Sequence, residues 1–436
     1  MALRRKPSDE AAAPSLPAAG PAGSLTPLLD DPTASAPGYA PALNAGFQAT
    51  TSRVQEMHQA IAGKTFDSLG MVPGLSVPSR IVQSVHDAIT QGVYAAVRHG
   101  GAVALAIADG AERLATDPQR VPGKKERVLR GALNGAVGDT LAASNSALVV
   151  QMGLHDRNGA LPLKSGALTG LTALRPRVCV FLHGLACDEQ SWRLRTDAWA
   201  VSPWADALPA GDAIDYGALL EHEPGAGEPI SALWLRYNSG LAIDDNAQRF
   251  AELLERVAHA APQVDEWLLI GHSMGGLVAR RAQALAAEQG LAWAGKVPMI
   301  VCLGSPHQGA PLAKFGQLAT AALAVSDVTR PLARITHARS RGIKDLQRGL
   351  KGATAGADSP ALRLVFATLG DEVGGGMGAW VGSLLGDGLV RGSSAADDGL
   401  TGDVQRVELA GLGHMSLLNH PRVYAVIRTW IGAPAG

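Results

Sequence analysis

The stretch from residue 266 to residue 289 places a serine between two glycines, where a strand gives way to a helix. The segment EWLLI before the motif reads as a buried strand, and LVARRAQAL after it reads as a helix. Gly271-His272-Ser273-Met274-Gly275 lies between them, and this context separates it from a chance G-x-S-x-G string. We expect a β-carbon at either glycine to collide with the neighbouring strand or helix. The motif predicts that a sharp turn projects the nucleophilic hydroxyl of Ser273 out of an α/β sheet.

Composition narrows the class of protein. Hydrophobic residues make up 47% of the 436 residues, so a large core can be buried, and the net charge of -1 argues against a generic nucleic-acid binder. The three cysteines are an odd number, and Cys179 and Cys302 lie in predicted core strands, which favours free thiols over a disulfide framework. No Cys/His spacing resembles a zinc site, so no metal is expected. The serine chemistry considered below needs no cofactor, and none is expected.

The beginning of the chain and its apolar runs bear on location. MALRRK is a basic opening, but PSDE follows where a signal peptide would need an apolar stretch. A spanning helix needs an uninterrupted apolar segment of roughly 18 residues, and none is found in the sequence. These features predict a cytoplasmic protein, and they leave its oligomeric state open.

Two regions precede the α/β domain. Residues 1–50 are rich in Ala, Pro, Gly and Ser, and such a segment is expected to be an unstructured tail. Residues 51–153 are expected to form an accessory helical region, in which one apolar face is made by Ile81, Val85, Ile89 and Val93. The favoured interpretation is a layer that packs on the next domain, and the alternative is an amphipathic surface in peripheral contact with a membrane.

Residues 154–436 alternate between strand-like and helix-like segments, which is typical of a mostly parallel sheet covered on both faces. The predicted strands cover residues 177–182, 232–237, 267–270, 297–303, 362–369 and 404–409. The longer predicted helices cover residues 243–259, 277–289 and 423–431.

An insertion near residues 314–360 lies at the edge of the sheet where caps and lids form. Its stretch from residue 330 to 351 carries seven Lys and Arg residues against one Asp. The simpler interpretation is a solvated helix face. The alternative hypothesis is a basic rim that attracts anionic lipid or an acyl substrate with a negative head group.

Ser273 needs a base within hydrogen-bond reach, because an alcohol is a poor nucleophile at neutral pH. His414 fits best, since it follows the last predicted strand at the same edge of the sheet as Ser273. His307 follows the predicted strand that ends near residue 303 and could also lie near the site. His420, six residues after His414, fits a structural position at a helix start.

The carboxylate that orients the base has two candidates. Asp371 directly follows a predicted strand, which is the generic position of such an acid. Asp387 lies in the glycine-flanked turn GDGLV. An aspartate beside a glycine also commonly satisfies its own backbone in a turn, so the residues alone leave this choice open.

A tetrahedral oxyanion needs preorganised hydrogen-bond donors. One is expected to be the backbone N–H of Met274, which follows the nucleophile, and the other comes from the loop HGLA after strand 177–182. In that loop Leu185 is the assigned donor and Ala186 the alternative. The side chain of the loop's histidine fits an architectural hydrogen bond better than catalysis. The residues assigned to the substrate pocket are His183, Gly184, Tyr237 and His307.

These segments together resemble the α/β-hydrolase superfamily on its esterase and lipase side. The likeness covers about residues 174–436 and is carried by FLHGL, by the serine turn and by GSPHQGA at 304–310. GDGLV is similar to the D-G-L-V turn that supplies the acid in bacterial lipases, which favours Asp387. The likeness extends to relatives of the inositol deacylases of glycolipid anchors. Calcium-dependent lipases carry a metal-binding aspartate two residues after the histidine, and Ser416 stands there, so no such site is expected.

The resemblance implies an α/β-hydrolase fold with a mostly parallel sheet, an N-terminal helical extension and a helical cap. It implies a serine hydrolase that cleaves carboxylic esters, lipid-like in kind, through an acyl-enzyme, with a small-molecule or lipid ester as its partner. An acyltransferase with the same triad is the close alternative. A non-catalytic lipid-binding protein on a hydrolase scaffold is the alternative from another class, and the combined nucleophile, base, acid and donor loop argue against it.

Overall fold

A seven-stranded sheet forms the centre of the computed structural model. The structure describes residues 39–71, 76–115, 124–143, 146, 148–161, 171–194, 196–209, 212–222, 229–309, 340–350, 359–368 and 400–432. In chain order the strands are β1 (Gly153–His155), β2 (Arg177–Leu182), β3 (Ser231–Arg236), β4 (Glu266–His272), β5 (Met299–Leu303), β6 (Ala361–Thr368) and β7 (Val404–Ala410).

The strands lie in the order β1-β3-β2-β4-β5-β6-β7. β1 pairs antiparallel with β3, and every other pair is parallel, so the predicted mostly parallel sheet is confirmed. Six strands match sequence-predicted ones. β1 was not predicted, because three residues are too few to show an alternation of apolar and polar positions.

Three of the described α-helices in the α/β domain begin and end close to where the sequence predicted them, and the helix Tyr216–His222 was not predicted. In chain order they are α1 (Tyr39–Gly70), α2 (Ser76–Ala115), α3 (Lys124–Ala143), α4 (Tyr216–His222), α5 (Ile243–Ala260), α6 (Met274–Glu288), α7 (Arg341–Arg348) and α8 (Pro421–Ile431). α5, α6 and α8 correspond to the three longer helices predicted from sequence. No helix in the ranges given above has both the length and the apolar run that a bilayer span requires.

The N-terminal boundary differs from the prediction. Residues 1–38 lie outside the described residues, but α1 begins at Tyr39, so the expected boundary at residue 50 falls inside a helix. Tertiary contact explains this difference, since α1 lies along α2 and the side-chain amide of Gln48 donates to the Arg98 carbonyl at 2.9 Å. Amino-acid composition alone cannot predict that a segment packs against another helix.

The predicted apolar face of α2 does not pack on the described part of the α/β domain. Val85, Ile89 and Val93 are 54%, 62% and 54% exposed, and the side chain of Ile81 lies outside what the structure describes. The helix that packs on the α/β domain is α3, whose Leu133 belongs to the same hydrophobic cluster as β2 and α6. The accessory-layer interpretation therefore holds for α3 and not for this face of α2.

Because successive side chains of a strand point to opposite faces of the sheet, the hydrophobic core is divided into two parts, one on each face. In β2, Val178, Val180 and Leu182 face the side covered by α3, α5 and α6. Cys179 and Phe181 face the opposite side, where an aromatic cluster packs under α8; it contains Trp192, Trp199, Tyr216, Trp234 and Tyr424. All three cysteines are free, as predicted.

Asn419 links this aromatic side to the turn that follows β7. Its Oδ1 accepts a hydrogen bond from Trp199 Nε1 at 3.0 Å, and its Nδ2 donates to the Ile214 carbonyl at 2.9 Å. Asn419 is 1% exposed.

The substitution Asn419→Ala would leave a buried indole N–H without a partner, and we expect it to lower the free energy of unfolding by about 1–3 kcal/mol. Urea unfolding measures this loss. Asn158→Ala, at an exposed turn, is the matched control, and equal stabilities of the two variants would contradict the prediction.

Candidate active site

Ser273 occupies a strained turn between β4 and α6. Its backbone has φ +53° and ψ -119°, a region that residues other than glycine adopt at a cost of about 1–3 kcal/mol. The Ser273 N–H donates to the Leu303 carbonyl of β5 at 2.8 Å, which extends the β4–β5 pairing into the turn and holds it. Such retained strain is typical of a functional position. The sharp strand-to-helix turn predicted from sequence is confirmed.

Close approach explains both glycines of the motif. A β-carbon at Gly271 would lie 2.3 Å from the backbone nitrogen of Gly276, in the first turn of α6. At Gly275 it would lie 2.2 Å from the Leu182 carbonyl oxygen of β2. Both distances are far shorter than any van der Waals contact, so the expected collisions with helix and strand are confirmed. The glycines let α6 start directly against the sheet.

The loop after β2 lies against Ser273. A β-carbon at Gly184 would be 3.1 Å from Ser273 Cβ, and the Cys187 N–H donates back to the Gly184 carbonyl at 3.3 Å, closing a four-residue turn. Inside it, the Ala186 N–H donates to Ser239 Oγ at 3.0 Å, whereas the Leu185 N–H donates to no group in the described ranges. Of the two alternatives weighed from sequence, the structure therefore favours Leu185 as a donor for a ligand.

Met274 is the other expected donor, and its N–H is the first of α6. The first N–H groups of a helix have no partner within the helix and carry the positive end of its dipole. A negative oxygen beside Ser273 would therefore meet a favourable field from α6 and the N–H of Met274. This side of the site needs no charged side chain.

The structure brings His414 to the same edge of the sheet. It begins the short 3₁₀ turn His414–Leu418 after β7, and its ring centroid is 4.6 Å from that of His272, the neighbour of Ser273. A β-carbon at Gly304, directly after β5, would be 2.9 Å from His414 Nδ1. No hydrogen bond joins Ser273 Oγ to the imidazole in this structure. Catalytic hydrogen bonds commonly tighten only in the complex with substrate.

Removal from water lowers the pKa of His414 to about 4. The imidazole is therefore neutral at pH 7, the state that a general base requires. Among the described residues no carboxylate contacts its ring. Asp387 and Asp371 both lie outside the described residues, so the identity of the acid stays a prediction.

His272 is a site residue that the sequence analysis missed. Its Nε2 donates to the backbone carbonyl of His414 at 3.1 Å, so it ties the turn bearing the candidate base to the turn bearing the serine. The donation places the proton on Nε2, and burial holds the pKa of His272 well below its usual value. Its place inside the serine motif was the available signal, but nothing in the sequence indicates the partner.

His183 and Tyr237, assigned to the substrate pocket from sequence, are hydrogen-bonded to protein groups. Their rings stack at 4.3 Å, and the Tyr237 hydroxyl donates to the His183 carbonyl at 2.6 Å. His183 Nε2 accepts from the Tyr237 N–H at 3.3 Å, and its Nδ1 donates to the Gly184 carbonyl at 2.9 Å. Both residues are at most 1% exposed. These hydrogen bonds match the architectural role expected for the His183 side chain, and the assignment of both residues to the substrate pocket stays a prediction. Gly184, the next residue of the loop, faces the serine.

His307 is likewise held by the protein. Its Nδ1 accepts a hydrogen bond from Arg280 Nη1 at 2.8 Å, and it is 2% exposed. Burial, and then the charge of Arg280, hold the pKa of His307 well below its usual value. The other ring nitrogen, Nε2, is buried without a hydrogen-bond partner among the described residues, and the assignment of His307 to the substrate pocket stays a prediction. His420 caps α8 by accepting from the Arg422 N–H at 3.1 Å, the structural position expected for it.

The basic-rim hypothesis falls mostly on residues 330–339 and 351, which lie outside the described residues. Of the remaining members, Arg341 pairs with Asp245 at 2.8 Å and Arg348 lies 3.8 Å from Asp345. These pairs compensate part of the positive charge, which supports the interpretation as a solvated helix face for the described part.

The strain at Ser273 can be measured as stability. Ser273→Gly and Ser273→Ala both remove the hydroxyl, but only glycine adopts φ +53° without a steric cost. We expect the glycine variant to be more stable than the alanine variant by about 1 kcal/mol, because relief of strain exceeds the entropy cost of glycine. Chemical denaturation of the two variants side by side measures this difference. An alanine variant as stable as the glycine variant would mean that the turn is unstrained.

Comparison with known proteins bears on the family. Residues 242–344, from the start of α5 to the first turn of α7, match the family model of the PGAP1-like alpha/beta domain. None of the curated proteins matches the chain.

Solved structures with a similar arrangement include two ester-cleaving enzymes and a thioesterase domain. The mature lipase BlEst2 of Bacillus licheniformis is 18% identical, over 58% of this chain and 91% of that protein, with a TM-score of 0.38. A thermophilic esterase of Thermogutta terrifontis is 12% identical, over 64% and 92%, with a TM-score of 0.33. The NocB thioesterase domain is 15% identical, over 59% and 95%, with a TM-score of 0.34. These scores are too low to carry any inference about activity.

The sheet order, the parallel pairing and the strained serine after β4 identify the architecture without those neighbours. The chain has an α/β-hydrolase fold, and its segment 242–344 is similar to the PGAP1-like alpha/beta domain.

Proposed function

We propose that this protein is a carboxylic ester hydrolase that works through an acyl-enzyme on Ser273. One observation carries the proposal. The serine is held in a strained turn at the first N–H of α6, and Gly184 lies against it. The next residue of that loop, Leu185, has an N–H that donates to no described group, and the turn bearing His414 is hydrogen-bonded to His272, the neighbour of the serine. A serine in a scaffold position has no need of any of these features.

In the first half of the proposed reaction the Ser273 hydroxyl oxygen attacks the ester carbonyl carbon. Its proton passes to the neutral imidazole of His414, and the carbonyl oxygen becomes an oxyanion that accepts from the N–H groups of Leu185 and Met274. When the intermediate collapses, the bond to the alcohol oxygen breaks. His414 returns the proton to that oxygen, and the acyl group stays on Ser273.

In the second half a water molecule attacks the acyl carbon. His414 takes a proton from the water, the same two N–H groups stabilise the second oxyanion, and Ser273 leaves with the proton as the carboxylic acid forms. An acyltransferase would differ only in using an alcohol in place of this water. No described contact favours the alcohol, so hydrolysis is the proposal.

Asp387 is the proposed orienting acid, on the similarity of its turn to that of bacterial lipases. A carboxylate beside His414 would fix the ring and stabilise the imidazolium that forms in the transition state. Lipid-like esters are the proposed substrates, with peripheral membrane contact where the ester is part of a membrane lipid. The exposed apolar face of α2 is compatible with such contact.

A fluorophosphonate probe tests the nucleophile. The wild-type protein is expected to be labelled covalently and to hydrolyse p-nitrophenyl esters, with a preferred acyl length found across a chain-length series. Ser273→Ala is expected to lose both properties, and Ser305→Ala, at another buried serine after β5, to keep the label. Mass spectrometry locates the labelled residue. Absence of labelling in the folded wild-type protein would favour the non-catalytic lipid-binding alternative.

The pH dependence of kcat/KM tests the acid. Burial alone leaves the pKa of His414 at about 4, and a neighbouring carboxylate would raise it because it stabilises the imidazolium. We therefore expect the wild-type rate to fall on acidification with a midpoint well above 4. Asp387→Asn should move that midpoint down toward 4 and lower kcat by about 10²- to 10⁴-fold.

Asp371→Asn is the matched control for this measurement and is expected to leave both the midpoint and kcat close to wild type. The reverse result, with Asp371→Asn carrying the loss, would overturn the assignment to Asp387. A wild-type midpoint already near 4 would mean that neither carboxylate contacts the base.

A further inference from the structure

We propose that α3 positions the oxyanion-binding turn, so that the N-terminal helical region is part of the catalytic apparatus of this chain. The element concerned is the turn from Gly184 to Cys187, which carries the Leu185 N–H. The inference rests on the proposed acyl-enzyme function, because it assigns a role to contacts around the proposed donor.

The turn contains a residue that its own backbone conformation disfavours. Ala186 has φ +61° at the third position of the turn, where glycine or asparagine is the usual residue. Only two residues other than glycine have a positive φ in the described part of the chain, and the other is Ser273. An alanine with a positive φ needs contacts from outside the turn to stabilise that backbone conformation.

The first of these contacts comes from the backbone of α3. A β-carbon placed at Gly135 would lie 2.9 Å from the Cα, the Cβ and the N of Ala186. One turn earlier, a β-carbon at Gly131 would lie 3.0 Å from the Ala186 carbonyl oxygen. The helix therefore touches Ala186 with its main chain, and there is no room between them for even a methyl group.

The second contact comes from the loop after β3. Ser239 Oγ accepts the Ala186 N–H at 3.0 Å, and the neighbouring Asn238 donates from its side chain to the Gly138 carbonyl of α3 at 2.9 Å. Ser239 and Asn238 are 1% and 2% exposed. α3 and the loop after β3 are thus hydrogen-bonded to each other, and Ala186 is packed between them.

α3 is itself tied to the segment that precedes α7. The Ser340 N–H donates to the Ala136 carbonyl at 3.1 Å, and the Ser340 hydroxyl donates to the Gly135 carbonyl at 2.7 Å. Two residues on, the Gly342 N–H donates to the Gly240 carbonyl at 3.1 Å, next to the serine that accepts from Ala186. With these bonds in place, α3 cannot move away to accommodate a larger residue at position 135 without breaking several buried contacts.

The contacts of α3 and of the loop after β3 with Ala186 fix the direction of the neighbouring Leu185 N–H. An oxyanion donor acts mainly on the charge that develops in the transition state, so its misplacement lowers kcat more than it raises KM. A shift of a few tenths of an ångström weakens the hydrogen bond, and loss of such a donor costs about 10²- to 10³-fold in kcat. A helix that only supported the fold would affect stability without this split.

The test compares Gly135→Ala with Gly92→Ala in the full-length protein. Position 92 is also a helical glycine, and a β-carbon there would meet nothing within 4 Å. Gly92→Ala is expected to match wild type in kcat and KM for a p-nitrophenyl ester. Gly135→Ala is expected to lower kcat about 10- to 100-fold with KM changed less than about threefold.

A trifluoromethyl ketone of the same acyl chain gives a second readout. Ser273 Oγ adds to its carbonyl carbon, the carbonyl oxygen becomes an oxyanion, and the proton goes to the base. We expect the ratio of its Ki to the substrate KM to rise about 10-fold or more in Gly135→Ala, since only the adduct uses the donors. Unchanged kcat and an unchanged ratio in the folded variant would overturn the proposal.

A second variant keeps the test decisive if Gly135→Ala fails to fold, and a double variant extends the test where Gly135→Ala folds. Ser239→Ala removes the acceptor of the Ala186 N–H from the other side, and we expect the same loss in kcat and the same rise in the Ki ratio. Ala186→Gly, combined with Gly135→Ala, removes one of the three clashing atoms and should restore part of the lost kcat. If Ala186→Gly and Gly135→Ala changed kcat independently, so that their effects multiplied in the double variant, the proposal would be contradicted. A Ser239→Ala variant with wild-type kcat and an unchanged Ki ratio would contradict it as well.

The outcomes also separate this inference from the proposed function. A wild-type protein that neither hydrolyses esters nor reacts with the fluorophosphonate at Ser273 fails the proposed function. A reactive wild type with fully active Gly135→Ala and Ser239→Ala variants fails the positioning role of α3 alone.

Discussion

The structure depends on the close approach of α6 to the sheet at the serine turn. The carbonyl of Leu182 and the backbone of Gly276 leave no space for a side chain at Gly275 or Gly271. Because the helix starts against the strands, Ser273 takes a left-handed backbone conformation, and its N–H completes the pairing with β5. The chain thus retains local strain at one residue, and the surrounding hydrogen bonds and packing hold that residue in place.

Parallel strands give this strained turn its neighbours. The carboxyl ends of β2, β4, β5 and β7 lie at one edge, so the loops that follow them meet although they are far apart in sequence. The loop after β2 lies against Ser273, the residue after β5 lies against His414, and His272 bonds to the His414 carbonyl. Within the described ranges, the groups that lie around Ser273 include backbone groups and the neutral imidazoles of His272 and His414.

The contrast between α3 and α2 shows how differently parts of one helical region can be used. α3 shares the core of the sheet and touches the Ala186 turn with its main chain, whereas the apolar residues of α2 around Ile89 stay exposed. Small residues on α3 let its backbone come close to the turn that contains Ala186, because no side chain separates the two. The larger Val and Ile residues on α2 face no described partner. The sequence predicted packing for the whole helical region and did not separate α3 from α2, since periodicity detects apolar faces and cannot detect main-chain contact.

The sequence by itself determined the class of fold, six of the seven strands and the place of Ser273 on a sharp turn, because apolar periodicity and the glycines of that turn are local properties. It also pointed to Leu185, Met274 and His414 as residues at the same edge, since strand ends meet in a parallel sheet. Only the tertiary structure decided the use of buried polar groups. It supplied the hydrogen-bond partners of His183, Tyr237 and His307, revealed the link from His272 to His414, and placed Gly135 on Ala186. The physical reason is that a hydrogen bond or a close contact depends on where a distant segment lies, and that position is set by packing across the whole domain.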